Sequence, residues 1–179
     1  LMKEGRAGAE KLEGGSEFKE QVKAIVNASI PVCGHIGMTP QSVNVFGGFK
    51  VQGKTLEAAK KLVEDALALE AAGAFAIVLE CVPQELAEYI SEIVSIPTIG
   101  IGAGKGCDGQ VLVYQDMLGM YSDFTPKFVK KYAETGVAMN EAFTKYSEEV
   151  KSGEFPSKEH SFTINTEIID ELKAWRDEK

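Results

Sequence analysis

Ala74-Phe75-Ala76-Ile77-Val78-Leu79-Glu80-Cys81-Val82-Pro83 decides how the chain folds. Phe75 to Leu79 is apolar throughout, and the run then ends on one carboxylate. Apolar residues at both alternating positions predict a strand buried on both faces, the signature of a parallel sheet covered by helices. The flanks agree. Upstream, residues 55–72 place Leu56, Ala59, Leu62, Val63, Ala66 and Leu69 on one helical stripe, with Gly73 as its stop. Downstream, Pro83 suits the first turn of a helix across 84–94, and Pro97–Gly102 is again of strand length. Helix, strand, helix and strand in this order imply parallel pairing through right-handed crossovers, hence an α/β fold.

The same alternation extends outward. Ala9–Glu13, Pro31–His35, Ala74–Val82 and Gln110–Gln115 complete a set of short apolar runs. The first run follows a stretch that reads as helix. Past residue 120 the pattern changes. Residues 126–135 and 138–151 read as helices, Ser152-Gly153 stops the second, and 154–164 reads as irregular surface chain. Residues 166–178 form an acidic helix with Ile168, Leu172 and Trp175 on one side, expected to dock on the body or on a neighbouring subunit. There is no internal repeat and no low-complexity tract.

At 179 residues the chain is long enough for one domain with a real core, yet well short of the about 250 residues of a complete eight-stranded α/β barrel. A net charge of −8 with no basic stripe argues against nucleic acid or an anionic membrane as partner. Cys33, Cys81 and Cys107 are odd in number and lack metal-ligand spacing, which predicts reduced thiols of a cytosolic protein. Leu1-Met2-Lys3-Glu4-Gly5 has no apolar leader character and no run reaches membrane-spanning length. The expectation is a soluble cytoplasmic protein.

Ionisable residues recur at the ends of the apolar runs, which is how a parallel α/β enzyme assembles a site. Lys11 and Glu13 are two apart on a strand and so share a side, before Gly14-Gly15 turns the chain. A Lys–Glu pair is a site pair or a surface salt bridge, and the residues alone leave both open. His35 stands in Gly34-His35-Ile36-Gly37, where glycines would free its ring for a ligand; a structural histidine is the alternative. A long polar loop follows, from Thr39-Pro40-Gln41 through Asn44-Val45-Phe46-Gly47-Gly48-Phe49. Glu80, half desolvated at the end of its strand, is placed as a general base, or else as an acid capping the helix that opens at Pro83.

Gly100-Ile101-Gly102-Ala103-Gly104-Lys105-Gly106 resembles a nucleotide loop but fails both tests of spacing. Lys105 occupies the third glycine's place of the dinucleotide motif, while Ile99 and Gly106 break the phosphate-loop pattern. Glycines at 100, 102 and 104 share a face, and leave room for a ligand or a close backbone. Asp108 and Asp116 read as structural. Two histidines far apart, His35 and His160, argue against zinc. Carboxylates such as Glu13 suit Mg²⁺, which takes few protein ligands.

Together these residues resemble the ketopantoate hydroxymethyltransferase family. The resemblance rests on KLEGG at 11–15, PVCGHIGMTPQSVNVFGGFKVQG at 31–53 and ALEAAGAFAIVLECVP at 68–83. It continues through IPTIGIGAGKGCDGQVLVYQDMLG at 96–119, PKFVKKY at 126–132 and EHSF at 159–162. It implies a (βα)₈ TIM barrel of the phosphoenolpyruvate/pyruvate type, of which this sequence would hold the last five strands and C-terminal helices. Residues 1–163 would then be barrel and 164–179 a helical tail.

The resemblance further implies an Mg²⁺-dependent enzyme, commonly a decamer. Its reaction would move a hydroxymethyl group from 5,10-methylenetetrahydrofolate to the 2-oxo acid 3-methyl-2-oxobutanoate. By motif, Glu80 would be the base at C3 of the keto acid, Lys11 and His35 would contact substrate, and Glu13 would belong to the metal environment. Family members also carry an N-terminal portion with three further strands, a Gly-Asp-Ser segment and another Asp as direct metal ligands. None of these is in this sequence, so an incomplete sequence is the expectation. A related Mg²⁺-dependent lyase acting on another 2-oxo acid and a non-catalytic subunit are the competing readings.

Overall fold

A computed structural model describes residues 2–42, 50–120 and 124–178. Five parallel strands lie side by side in chain order. They are β1 (Glu10–Glu13), β2 (Val32–Gly37), β3 (Ala76–Glu80), β4 (Thr98–Ile101) and β5 (Gly109–Gln110). Helices connect them: α1 (Met2–Gly5) leads into β1, α2 (Lys19–Asn27) joins β1 to β2, α3 (Leu56–Ala71) joins β2 to β3, and α4 (Gln84–Ile93) joins β3 to β4. α5 (Tyr114–Met117), α6 (Thr135–Ser152) and α7 (Thr166–Asp177) follow. A parallel sheet in sequential order is the arrangement of one arc of a (βα)₈ barrel.

Each connecting helix is set by local chemistry. Thr55 caps α3, its hydroxyl accepting from the Ala58 amide at 3.2 Å. Gly73, at φ +93°, ends the same helix while the Gly73 and Ala74 amides return to the Glu70 and Leu69 carbonyls. The stripe expected on α3 is graded. Leu62, Ala66 and Leu69 are buried, whereas Leu56 at its first turn is 73% exposed. With Val22 of α2 and Ile90 of α4 they cover one face of the sheet, meeting Val32, Ile36, Ile77 and Leu79. Period-two alternation leaves Lys11, Glu13, Cys33, His35, Val78 and Glu80 on the other face.

Several expectations change. β3 is buried over Ala76–Leu79, but Phe75 is 48% exposed because the strand begins after it. Of the run 110–115 only Gln110 pairs in register with β4, beside Gly109 just before the run. Gly102 and Gly104, both at positive φ, carry the chain away after Ile101 and leave β5 no longer partner; Tyr114–Met117 is helical instead. Residues 126–134 do not form a helix. The Tyr132 and Thr135 amides donate to the Met117 and Leu118 carbonyls at 2.8 and 2.9 Å, bonds that an internal helical ladder would have used. The helix expected over 138–151 begins earlier, at Thr135, and ends on Gly153 at φ +76°. Ile168, Leu172 and Trp175 of α7 are 45%, 51% and 55% exposed, outside the core. Asn44–Phe49 of the polar loop lies outside the described residues. Among those residues no helix is long and apolar enough to cross a membrane.

The closest backbone approach is at the end of β2. Gly37 has φ +93°, and a Cβ there would collide with the Glu80 carbonyl; the next amide, Met38, donates to that carbonyl at 2.8 Å. Gly37→Ala therefore combines a left-handed backbone with a clash, and should cost on the order of 2–4 kcal/mol in urea unfolding. An unchanged midpoint would show that β2 and β3 are not locked together there.

Candidate active site

The site begins with strand register. β1 and β2 place Lys11 beside Cys33 and Glu13 beside His35; β2 and β3 place Gly37 beside Glu80. Because all five strands run one way, the groups near their C-terminal ends gather at one edge of one face. Lys11, Glu13, His35 and Glu80 are brought together as the sequence suggested.

Their contacts form a chain. The Lys11 ammonium donates to Glu13 Oε1 at 3.2 Å and to His35 Nδ1 at 3.0 Å. An ammonium has only protons to give, so Nδ1 accepts and a neutral ring carries its proton on Nε2. Nε2 lies 3.2 Å from Glu80 Oε2, yet that contact is not aligned as a hydrogen bond, and the buried Nε2 has no such partner among the described residues. His35 itself is only 3% exposed. A buried donor left without an acceptor costs about 1–3 kcal/mol, so an oxygen brought to this point would gain a ready partner. The Glu80 carboxylate is 13% exposed and that of Glu13 11%, both open enough to meet a ligand and dry enough to act on it.

Glu13 is further fixed by its other oxygen, which accepts from the Gln41 amide at 3.1 Å. That bond ties the start of the polar loop to β1. The turn after Glu13 is held from behind by a group that sequence reading did not single out. Asp65 of α3, 6% exposed, accepts from the Ser16 amide at 2.8 Å and pairs with Lys61. Gly15 packs directly on this carboxylate, with no room for a Cβ. Burial alone would lower the Lys61 pKa, but the hydrogen bond and charge of Asp65, with help from Glu17, raise it. The available signal was an acid on the apolar side of an otherwise amphipathic helix.

The glycines serve packing more than ligand space. A Cβ on Gly34 would lie 2.8 Å from Leu69, so this glycine admits the helix rather than freeing the His35 ring. Gly100 faces Cys107, Gly102 faces the Phe128 ring, and Gly104 faces Gln84. Asp108 is structural, as expected: its Oδ2 accepts from the Thr98 amide at 2.8 Å and the Thr98 hydroxyl at 3.1 Å.

Two clefts are lined by chain neighbours of these residues, though by none of the four themselves. One of about 460 Å³ lies behind β1 and β2, against Gly14, Gly37, Thr39 and Asp65. The other, of about 780 Å³, opens beyond β3 and β4 against Cys81, Lys105, Lys127 and Phe128.

Comparison with known proteins identifies the family. The sequence model of the family described as ketopantoate hydroxymethyltransferase matches residues 1–158. A protein of Enterococcus faecalis named 3-methyl-2-oxobutanoate hydroxymethyltransferase is 69% identical over 172 residues, 96% of this chain and 62% of its own length. Proteins of the same name from Clostridium novyi and Clostridium acetobutylicum are 67% and 62% identical over the same shares. The chain thus spans 62% of the length of these curated relatives.

Cys81 reports on the charge of its neighbour. It sits at φ +51° directly after Glu80, half-buried; burial pushes its thiol pKa up, and the Glu80 charge adds to the rise. Removing that charge with Glu80→Gln should lower the Cys81 pKa and speed its alkylation by iodoacetamide about threefold near pH 8. Peptide mass spectrometry reads the rate, with Cys107 as internal reference. An unchanged Cys81 rate would mean that Glu80 does not face it as a carboxylate.

Proposed function

The chain belongs to the ketopantoate hydroxymethyltransferase family, and on that premise we propose that it contributes to transfer of a hydroxymethyl group from 5,10-methylenetetrahydrofolate to 3-methyl-2-oxobutanoate. The observation that carries the reading is the convergence of the Glu80 carboxylate and the unsatisfied His35 Nε2 within 3.2 Å at the strand ends. In this reading residues 1–163 are the C-terminal part of a barrel and 164–179 its helical tail. The working enzyme is a cytoplasmic homo-oligomer, a decamer as the resemblance implies.

Each residue has a separate task. Glu80 is the base: its carboxylate accepts the proton from C3 of the keto acid. His35 donates from Nε2 to an oxygen of the bound acid, which turns an orphaned donor into a satisfied one. Lys11 holds the His35 tautomer through Nδ1 and offers its one remaining proton to the substrate's negative charge. The C3 carbanion then forms a carbon–carbon bond to the donor's one-carbon unit. Water supplies the hydroxyl oxygen, and tetrahydrofolate leaves.

Mg²⁺ fits this site in part. Glu13 presents a carboxylate next to Lys11 and His35, and Mg²⁺ commonly binds one or two carboxylates while keeping waters or substrate oxygens. Among the described residues no group of three or more His, Cys, Asp or Glu side chains is gathered to hold a metal, so Glu13 would be one ligand and not a complete set. When bound, the ion supplies Lewis-acid polarisation of the keto acid's carbonyl.

Loss of the C3 proton into D₂O tests the reading without folate. The protein is the chain joined to the N-terminal portion of the Enterococcus faecalis relative, assayed beside the chain alone. With Mg²⁺, 3-methyl-2-oxobutanoate should exchange its C3 proton by NMR, and Glu80→Gln should slow exchange by about 10²-fold or more. Full exchange by that variant would remove Glu80 as base. Exchange of other 2-oxo acids but not of this one would transfer the site to the lyase reading.

A further inference from the structure

We propose that Ile101 sets which 2-oxo acid the site accepts, as the wall against which the alkyl groups at C3 of that acid lie. The inference rests on the transferase reading of the same residues and adds what limits the size of the acid.

Strand order carries the argument. On the face opposite the helices, the groups near the strand ends run from Lys11 and Glu13 on β1, through His35 on β2 and Glu80 on β3, to Ile101 on β4. Neighbouring strands lie about 4.8 Å apart, so this order along the sheet is an order in space. The ionisable groups end at β3. Alternation puts Ile99 and Ile101 of β4 on this face, while Thr98 turns the other way to Asp108 and Ser91.

Ile101 is the side chain set directly beside the base. Glu80 has two register neighbours: Gly37 on β2 has no side chain, and Ile101 on β4 has a branched apolar one. The Cys81 amide donates to the Ile101 carbonyl at 2.9 Å and keeps the two strand ends level. Gly102, at φ +66°, then turns the chain, so Ile101 is the last side chain of β4. Burial separates the two faces as well. Ile77 and Leu79 belong to the helix-covered core, whereas Val78 and Ile101, 9% and 8% exposed, are buried apart from it.

A 2-oxo acid carries its groups in a matching order. Its carboxylate and keto oxygen are adjacent and suit the Lys11 ammonium and the unsatisfied His35 Nε2. C3, whose proton goes to Glu80, comes next. The alkyl groups come last, directed away from both oxygens and so toward β4. In the reverse orientation the carboxylate would lie on Ile101, desolvated and without a donor, and the alkyl groups would cover the only cations of the set.

The test compares two acids within each variant, in the joined protein of the exchange assay with Mg²⁺. C3 proton exchange is measured for 3-methyl-2-oxobutanoate and for 3-methyl-2-oxopentanoate, which is larger by one methylene at the branch. Ile101→Ala should raise the rate of the larger acid relative to the smaller by about fivefold or more, and Ile101→Phe should lower that ratio by a similar factor. Ile77→Val, on the helix-covered side of β3, should leave it unchanged. The ratio does not depend on how much protein folds, and an Ile101 that only packs the core would slow both acids alike. A ratio unmoved in both Ile101 variants overturns the proposal, and so does an equal change in Ile77→Val. A second readout needs no exchange. With isotope-labelled isoleucine methyls, a nuclear Overhauser contact between the methyl protons of 3-methyl-2-oxobutanoate and the Ile101 Cδ1 methyl is expected in Glu80→Gln protein and should vanish in Glu80→Gln carrying Ile101→Val; its absence overturns the proposal. Failure is separable from failure of the transferase reading. Exchange that depends on Glu80 with an unmoved ratio removes this inference alone, whereas contact with Ile101 in a protein that exchanges neither acid removes the base and leaves the wall in place.

Discussion

Everything in the site depends on the register that β2 keeps with its two neighbours. His35 lies beside Glu13 on one side, and two residues on, Gly37 lies beside Glu80 on the other. Strand side chains alternate with a period of two, so a slip of one residue would turn His35 into the helix-covered face and bring Ile36 to the carboxylates. Two glycines enforce the pairing from opposite faces. Gly34 admits Leu69 of α3, and Gly37 admits the Glu80 carbonyl. The apolar packing that stabilises the sheet is thus the same packing that fixes the polar groups.

That arrangement places a buried imidazole among one ammonium and two carboxylates. Burying such groups is costly unless each finds a partner. Lys11 satisfies Nδ1 and one oxygen of Glu13, and the Gln41 amide satisfies the other oxygen. Nε2 is the group left over. An unsatisfied polar atom in an otherwise well-bonded core is rare and marks a place that a further partner would complete. The pattern of satisfaction therefore separates the groups the fold has already paired from the one it has not. Asp65 belongs with the former. It grips the Gly15–Ser16 turn and touches none of the four site residues through any hydrogen bond seen here.

The sequence made the strands β1 to β4 and the helices α3 and α4 legible because each combines a clear period with its own stop or cap. Thr55, Gly73 and Pro83 mark boundaries that hold within a residue or two. What it concealed depends on distant partners. The apolar run at 110–115 reads as a strand, yet pairing stops where β4 turns away at Gly102, a fact of β4 and not of the run itself. Residues 126–135 have helical composition, but the carbonyls at the end of α5 take their amides. The site residues were readable as strand-end groups, whereas Asp65 was not, since its role appears only when α3 lies over the Gly14–Gly15 turn. The glycines at 100, 102 and 104 suggest room for a ligand or a close backbone, but Phe128 fills that room at Gly102 and Gln84 at Gly104, as Leu69 does at Gly34.

The backbone changes direction sharply just after Glu80. Its carboxylate turns toward His35 on the inner face, while Cys81, in a left-handed conformation, redirects the chain toward the larger cleft. A cysteine at positive φ is strained, and the strain is borne by three backbone bonds around it. The Cys81 amide donates to the Ile101 carbonyl at 2.9 Å, its carbonyl accepts from Gln52 at 2.9 Å, and the Glu80 carbonyl accepts from Met38 at 2.8 Å. Neighbouring strands and loops thus hold the one turn that sets the Glu80 carboxylate on one side and the cleft on the other. Strain that persists beside this strand-end carboxylate, supported from three sides, is what a fold retains when the direction of a single residue matters more than its ease.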